Sequence, residues 1–138
     1  AWVGGDGQNG RNSGHHTWFG SPRDGTMFLK RSDMSVQGAS KVWVLIDERM
    51  DSINDGFFVI WMPGYPDPKR TIMVDYPASY HNNAAGLSFA DGHAEIRKWQ
   101  DPRTVPPLKK NGNIPLNQPQ PNNPDVIWLQ ERTTRPRR

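Results

Sequence analysis

An Asp91-Gly92 pair between two short β-prone runs constrains this chain more than any other feature. Leu87 to Ala90 is apolar on one side of the pair, and a run ending in Ile96 and Trp99 follows on the other. Asp-Gly in such a setting signals a hairpin, because a type I′ turn needs φ > 0 at both central positions. Gly adopts that conformation freely and Asp tolerates it better than most residues. The spacing predicts antiparallel strands over 86–90 and 93–99. On the second strand Ala94, Ile96 and Lys98 face one way, while His93, Glu95, Arg97 and Trp99 face the other.

The 138 residues suit one domain able to bury roughly two-thirds of its unfolded surface. Only 34% of them are hydrophobic and Gly and Pro each number 13, so the core is modest and the loops long. The expected class is α+β or mostly β, with a small antiparallel sheet of about four strands. Val42 to Ile46 reads as a buried central strand, Phe57 to Trp61 as a second, and Thr71 to Val74 as a brief third. Residues 1–26, with seven Gly, read as an extended start, and 27–104 as the sheet-bearing remainder of a globular domain. From Asp101 onward lie eight of the 13 prolines. Residues 105–138 therefore read as an extended Pro-rich surface tail that docks through Val126 to Leu129.

No Cys is present, which excludes disulfides. A net charge of +3 without a basic stripe argues against nucleic acid as a partner. The longest apolar run, Phe57 to Met62, falls far short of the ~20 residues that span a membrane.

An ordered set of residues extends beyond the hairpin: Asp47-Glu48, Asp51-Ser52-Ile53-Asn54-Asp55-Gly56, Pro77-Ala78-Ser79-Tyr80-His81, Ser88-Phe89-Ala90-Asp91-Gly92-His93, Trp99, and Asp101-Pro102-Arg103-Thr104. His81, nine intervening residues and Asp91-Gly92 resemble the H-x(9)-D-G signature of prepilin-type, pseudopilin-like proteins of planctomycete and verrucomicrobial bacteria. The resemblance spans about Trp43 to Thr104. It implies a structural, non-enzymatic subunit of a type IV pilus or type II secretion filament, exported to the cell surface, with copies of itself as partners. His81, Asp91 and Gly92 are then a structural motif, His81 bonding across the hairpin to fix its register. Such subunits carry a long apolar N-terminal helix, which these residues do not supply. The resemblance implies that this helix is cleaved, trimmed or a separate chain docked near Trp2, and that membrane contact runs only through it.

Two clusters invite chemistry. Asp47, Glu48, Asp51, Asn54 and Asp55 form a carboxylate-rich stretch beside a Gly, the donor type that Ca²⁺ prefers. Their spacing matches no EF-hand loop, and the alternative is that they cap turns and pair with Arg49, Lys69 or Arg70. Calcium near C-terminal loops of major pseudopilins favours the first reading by resemblance alone. His81, Asp91 and His93 offer a transition-metal or acid–base set, but no nucleophile, HExxH or phosphate-loop pattern accompanies them. Trp43, Trp61 and Trp99 belong to the expected core, whereas Trp2, Trp18 and Trp128 are candidates for contacts between subunits. A secreted metal-dependent or carbohydrate-binding module is the rival reading.

Overall fold

The computed structural model describes residue 28 and residues 30–134. Its principal sheet has three antiparallel strands in the order β1-β3-β4: β1 (Trp43–Ile46), β3 (Ala84–Phe89) and β4 (Ala94–Lys98). A second sheet pairs β2 (Ile72–Met73) with β5 (Gln118–Pro119). One α-helix, α1 (Pro124–Glu131), and three 3-10 turns complete the described elements. The α+β or mostly β class is as expected, but the strands divide between two sheets rather than forming one of four.

The hairpin lies where the spacing places it, but its turn is of another type. Gly92 N–H donates to Phe89 O at 2.9 Å, and Phe89 N–H donates to His93 O at 2.9 Å. The loop therefore contains three residues, Ala90 to Gly92. Only Gly92 takes positive φ, +97°, and Asp91 does not. This matches a type I turn closed by a glycine, in place of type I′. Asp91 contributes through its side chain instead, since Oδ1 accepts from the His93 amide at 3.1 Å.

Cross-strand register assigns the two faces of the sheet. Gly86 opposes Ile96, and Ser88 opposes Ala94 and Leu45, on the outer face. Ala85, Leu87 and Phe89 point inward and are 4% exposed or less. The register sets Ala94 and Ile96 of β4 opposite Ser88 and Gly86, as the expected alternation requires, although β4 is exposed along most of its length. Between Trp43 and Leu45 the register slips, leaving Val44 as an extra residue in β1. Such a bulge bends the strand and re-aims its side chains. Trp43 stays buried while Leu45 emerges on the outer face.

The inner face packs with Trp43, Ile60, Met62, Ala78, Trp99 and Leu129 in the main core. Both buried indoles satisfy their N–H, Trp99 on Ala78 O at 2.9 Å and Trp43 on Thr133 Oγ1 at 3.1 Å. The run Phe57 to Trp61 enters this core without being a strand, contrary to the sequence expectation. Side chains occupy its backbone groups: Asp55 Oδ1 accepts from Phe57 N, Asp75 Oδ2 from Val59 N, and Trp61 O from Gln130 Nε2. These side-chain bonds take up three of the backbone groups that a ladder would otherwise use. Trp61 is accordingly only half-buried.

The segment after residue 104, expected as an extended surface tail, instead supplies β5 and α1. Helix α1 starts at Pro124 behind Asn123, whose side chain accepts from Asp125 N and Val126 N. Asn as the cap with Pro at the first helical position is a strong start signal. Leu129 is wholly buried in the main core, and Val126 joins Met73 and Tyr76 in a smaller cluster.

Two buried carboxylates bind this segment to the rest. Asp125 Oδ2 accepts from Gln100 N (2.9 Å), Asp101 N (2.9 Å) and Thr104 Oγ1 (2.9 Å). Asp51 meets Arg49 in a two-pronged pair of 2.5 and 2.9 Å, and Arg49 also donates to Pro106 O and Pro107 O. Carbonyls of prolines thus serve as acceptors where their missing amides cannot act as donors.

Candidate functional site

The outer face of the three-stranded sheet is the most distinctive surface. Leu45 is 69% and Ile96 76% exposed, and between them lie the small residues Gly86, Ser88 and Ala94. Together they border a shallow groove of about 420 Å³, rimmed by Asp47 and Glu95. Two branched apolar side chains standing on either side of a floor of small residues leave a shallow trough. The walls of this trough are mostly apolar, which makes the sheet face a candidate docking surface.

Gly86 is required here for a second reason. Asp47 Oδ2 accepts from Gly86 N at 3.1 Å, and a Cβ at position 86 would sit 2.8 Å from that oxygen. Asp47 is therefore committed to the sheet.

Its neighbours in the acidic stretch are dispersed. Asp51 is 3% exposed and serves Arg49 and the Lys109 amide, the latter at 2.8 Å. Burial alone would raise its carboxyl, but the Arg49 bond and the Lys109 amide outweigh that and hold it below the usual carboxylate value. Asn54 is exposed, and Asp55 caps Phe57 N. Among the described residues no three His, Asp or Glu side chains converge as a metal set.

Glu48 differs from these. Its Oε1 is buried with no hydrogen-bond partner, as is Oδ1 of the nearby Asp75, a residue that sequence reasoning missed. Burial pushes the Glu48 carboxyl up to about 7; the Ser52 hydroxyl opposes that, and the charges of Asp75 and Asp55 reinforce it. Burial likewise raises Asp75 to about 6, against the Val59 amide and with the Asp55 charge. Glu48 and Asp55 line a recess of about 300 Å³ between β1 and residues 53–58, with Trp43, Phe57 and Phe58 in its walls. The cue for Asp75 lay in Val74-Asp75-Tyr76, a carboxylate set between residues that are both buried.

The His81 motif is not one site. His81 is exposed in a tight turn where Asn82 and Asn83 take φ of +55° and +60° and Asn83 N donates to Ser79 O at 3.2 Å. Its ring makes no hydrogen bond among the described residues, so the expected bond across the hairpin is not formed. Asp91 and His93 lie beyond the far end of β3, and that six-residue strand separates the two ends by about 20 Å. Asp91 Oδ1 bonds His93 Nδ1 at 2.6 Å, which holds the carboxyl below its usual value, and the imidazole stacks on Phe89 at 4.3 Å.

Trp128 is half-buried, with Arg97 and Arg132 guanidinium carbons 4.6 and 4.1 Å from its ring centre. Cation–π contacts of this kind are worth roughly 0.5–1 kcal/mol each at exposed sites. Trp2 and Trp18 lie outside the described residues.

These features define a small α+β domain with an open apolar sheet face. Comparison with known protein families, curated proteins and solved structures finds no match.

Proposed function

We propose that this chain is the globular domain of a pilin-like or pseudopilin-like structural subunit, exported and assembled into a filament at the cell surface. One observation carries the reading: the apolar trough bounded by Leu45 and Ile96 on the outer face of the sheet. An antiparallel sheet with one face on its own core and an apolar strip on the other is suited to receiving a helix. The order of residues from Trp43 to Thr104 resembles that of such subunits and supports the same conclusion. The partner is an apolar helix, supplied either by a longer precursor or by a separate chain, and further copies of the subunit.

The test is to isolate native assemblies and identify every polypeptide in them by mass spectrometry. An apolar helical segment, in a longer form of this chain or in a second chain, is the expected result. Assemblies that contain these 138 residues alone would refute the reading.

A further inference from the structure

We propose that the free edge of β4 pairs antiparallel with β4 of a second copy of this chain, across a two-fold axis through Ile96. The inference rests on the sheet edge alone and stands whether or not the chain enters a filament.

Strand β4 ends the sheet, since the strand order is β1-β3-β4. Phe89 N–H donates to His93 O and Trp99 N–H to Asn83 O, both at 2.9 Å. With the register of the two strands, these bonds turn the backbone groups of His93, Glu95, Arg97 and Trp99 toward β3. Ala94, Ile96 and Lys98 therefore turn their amides and carbonyls away from it. Among the described residues no hydrogen bond reaches these groups, and all three residues are exposed. An edge of this kind is a template for another strand unless a bulge, a proline or a charge blunts it. The opposite edge, β1, carries the bulge at Val44, whereas β4 has a continuous register and no proline. Only its charges remain, and they choose the partner.

Antiparallel pairing about Ile96 sets Ala94 of each copy opposite Lys98 of the other, and Ile96 opposite its own counterpart. These pairs bring the free amides and carbonyls together, and each pair exchanges both of its bonds. Glu95 of each copy then faces Arg97 of the other, at the non-hydrogen-bonded positions where side chains approach most closely. Opposite charges facing across strands stabilise the pairing, and like charges oppose it. Neither Glu95 nor Arg97 has an ion-pair partner among the described residues. Moving the axis to Glu95 would set that carboxylate against its own copy, and moving it to Arg97 would do the same to the guanidinium. Both shifts still match free backbone groups, so the charges select the register. The pairing also covers Ile96, 76% exposed in the single chain, and joins two sheets into one with a continuous outer face.

The experiment follows the mass of the purified full chain by sedimentation equilibrium over rising concentration, together with cysteine crosslinking. The chain has no Cys, so a single introduced thiol reports on one position. Ile96→Cys should give a disulfide-linked dimer under mild oxidation, because facing Cα atoms of a hydrogen-bonded pair lie about 5.5 Å apart, within disulfide reach. Leu45→Cys, two strands away on the same face, should not. Glu95→Arg should weaken the dimer at least about tenfold, since both opposite-charge pairs become like-charge pairs. Adding Arg97→Glu to that chain should restore it, because the charges again match. Arg97 also packs on Trp128, so Ile96→Cys and Glu95→Arg carry the test if the double variant does not fold. Four results would overturn the proposal: a chain that stays monomeric at millimolar concentration, an affinity unchanged by Glu95→Arg, a folded double variant that stays weak, or crosslinking as efficient from Leu45→Cys as from Ile96→Cys.

Discussion

Replacing Asp125 with Ala removes the joint between the C-terminal segment and the sheet. The carboxylate is wholly buried and accepts from Gln100 N, Asp101 N and Thr104 Oγ1, all within 3.1 Å. Hydrogen bonds to charged groups contribute roughly 1.5–3 kcal/mol each, so three donors give roughly 4.5 kcal/mol at the lower end. Gln100 is exposed and water can replace its lost partner, which brings the expected cost to about 3–4 kcal/mol. For a chain of this size that corresponds to a melting temperature lowered by roughly 10–15 °C. Urea unfolding followed by Trp fluorescence measures it, because Trp43 and Trp99 both lie in the core to which α1 is joined. Asp125→Asn, which keeps one acceptor oxygen, should fall between Ala and wild type. A loss below about 1 kcal/mol for Asp125→Ala, with the denaturant slope unchanged, would show that the joint carries little energy.

Gly92→Val should cost more than about 1 kcal/mol in the same assay, since a β-branched residue at φ +97° is strained; an unchanged midpoint would refute the turn assignment. Glu48 and Asp75 bind protons more tightly folded than unfolded, so they lower stability as pH rises, between 4.5 and about 7 for Glu48 and between 3.8 and about 6 for Asp75. Glu48→Gln should therefore melt higher than wild type at pH 8, with the gap closing near pH 4; a variant that melts lower at pH 8 would contradict this. Because Asp47 and Asp51 are committed to Gly86 and Arg49, the melting temperature should be the same in EDTA and in millimolar calcium. Stabilisation by calcium would restore a metal role for the acidic stretch.

The hairpin was legible because its signal is local: Asp-Gly sits between two runs of period two. Its turn type was not, since Asp-Gly fits both a two-residue loop and a three-residue loop, and the choice depends on which residues pair across it. Phe57 to Trp61 misled because a short apolar run marks burial without specifying what receives its backbone bonds. Those partners, Asp75 as acceptor and Gln130 as donor, are 16 and 69 residues away from the groups they serve. Helix α1 was legible in principle through Asn123-Pro124-Asp125, a cap, a first-turn Pro and an acidic residue, but the density of prolines obscured it. The acidic stretch shows the same limit at the level of the site. Residue type identified carboxylates, yet only the fold separates Asp51, neutralised by Arg49, from Glu48, which has no ion-pair partner among the described residues.

The most direct test of the filament reading is photo-crosslinking in native assemblies from single positions on the two surfaces. A benzophenone amino acid at Leu45, in the apolar trough, is compared with one at Val36, which is 83% exposed and lies outside it. Crosslinks from position 45 to an apolar helical segment, with few from position 36, are the predicted result. Equal labelling from both positions, or no crosslink from position 45, would contradict the assignment of the sheet face as the docking surface.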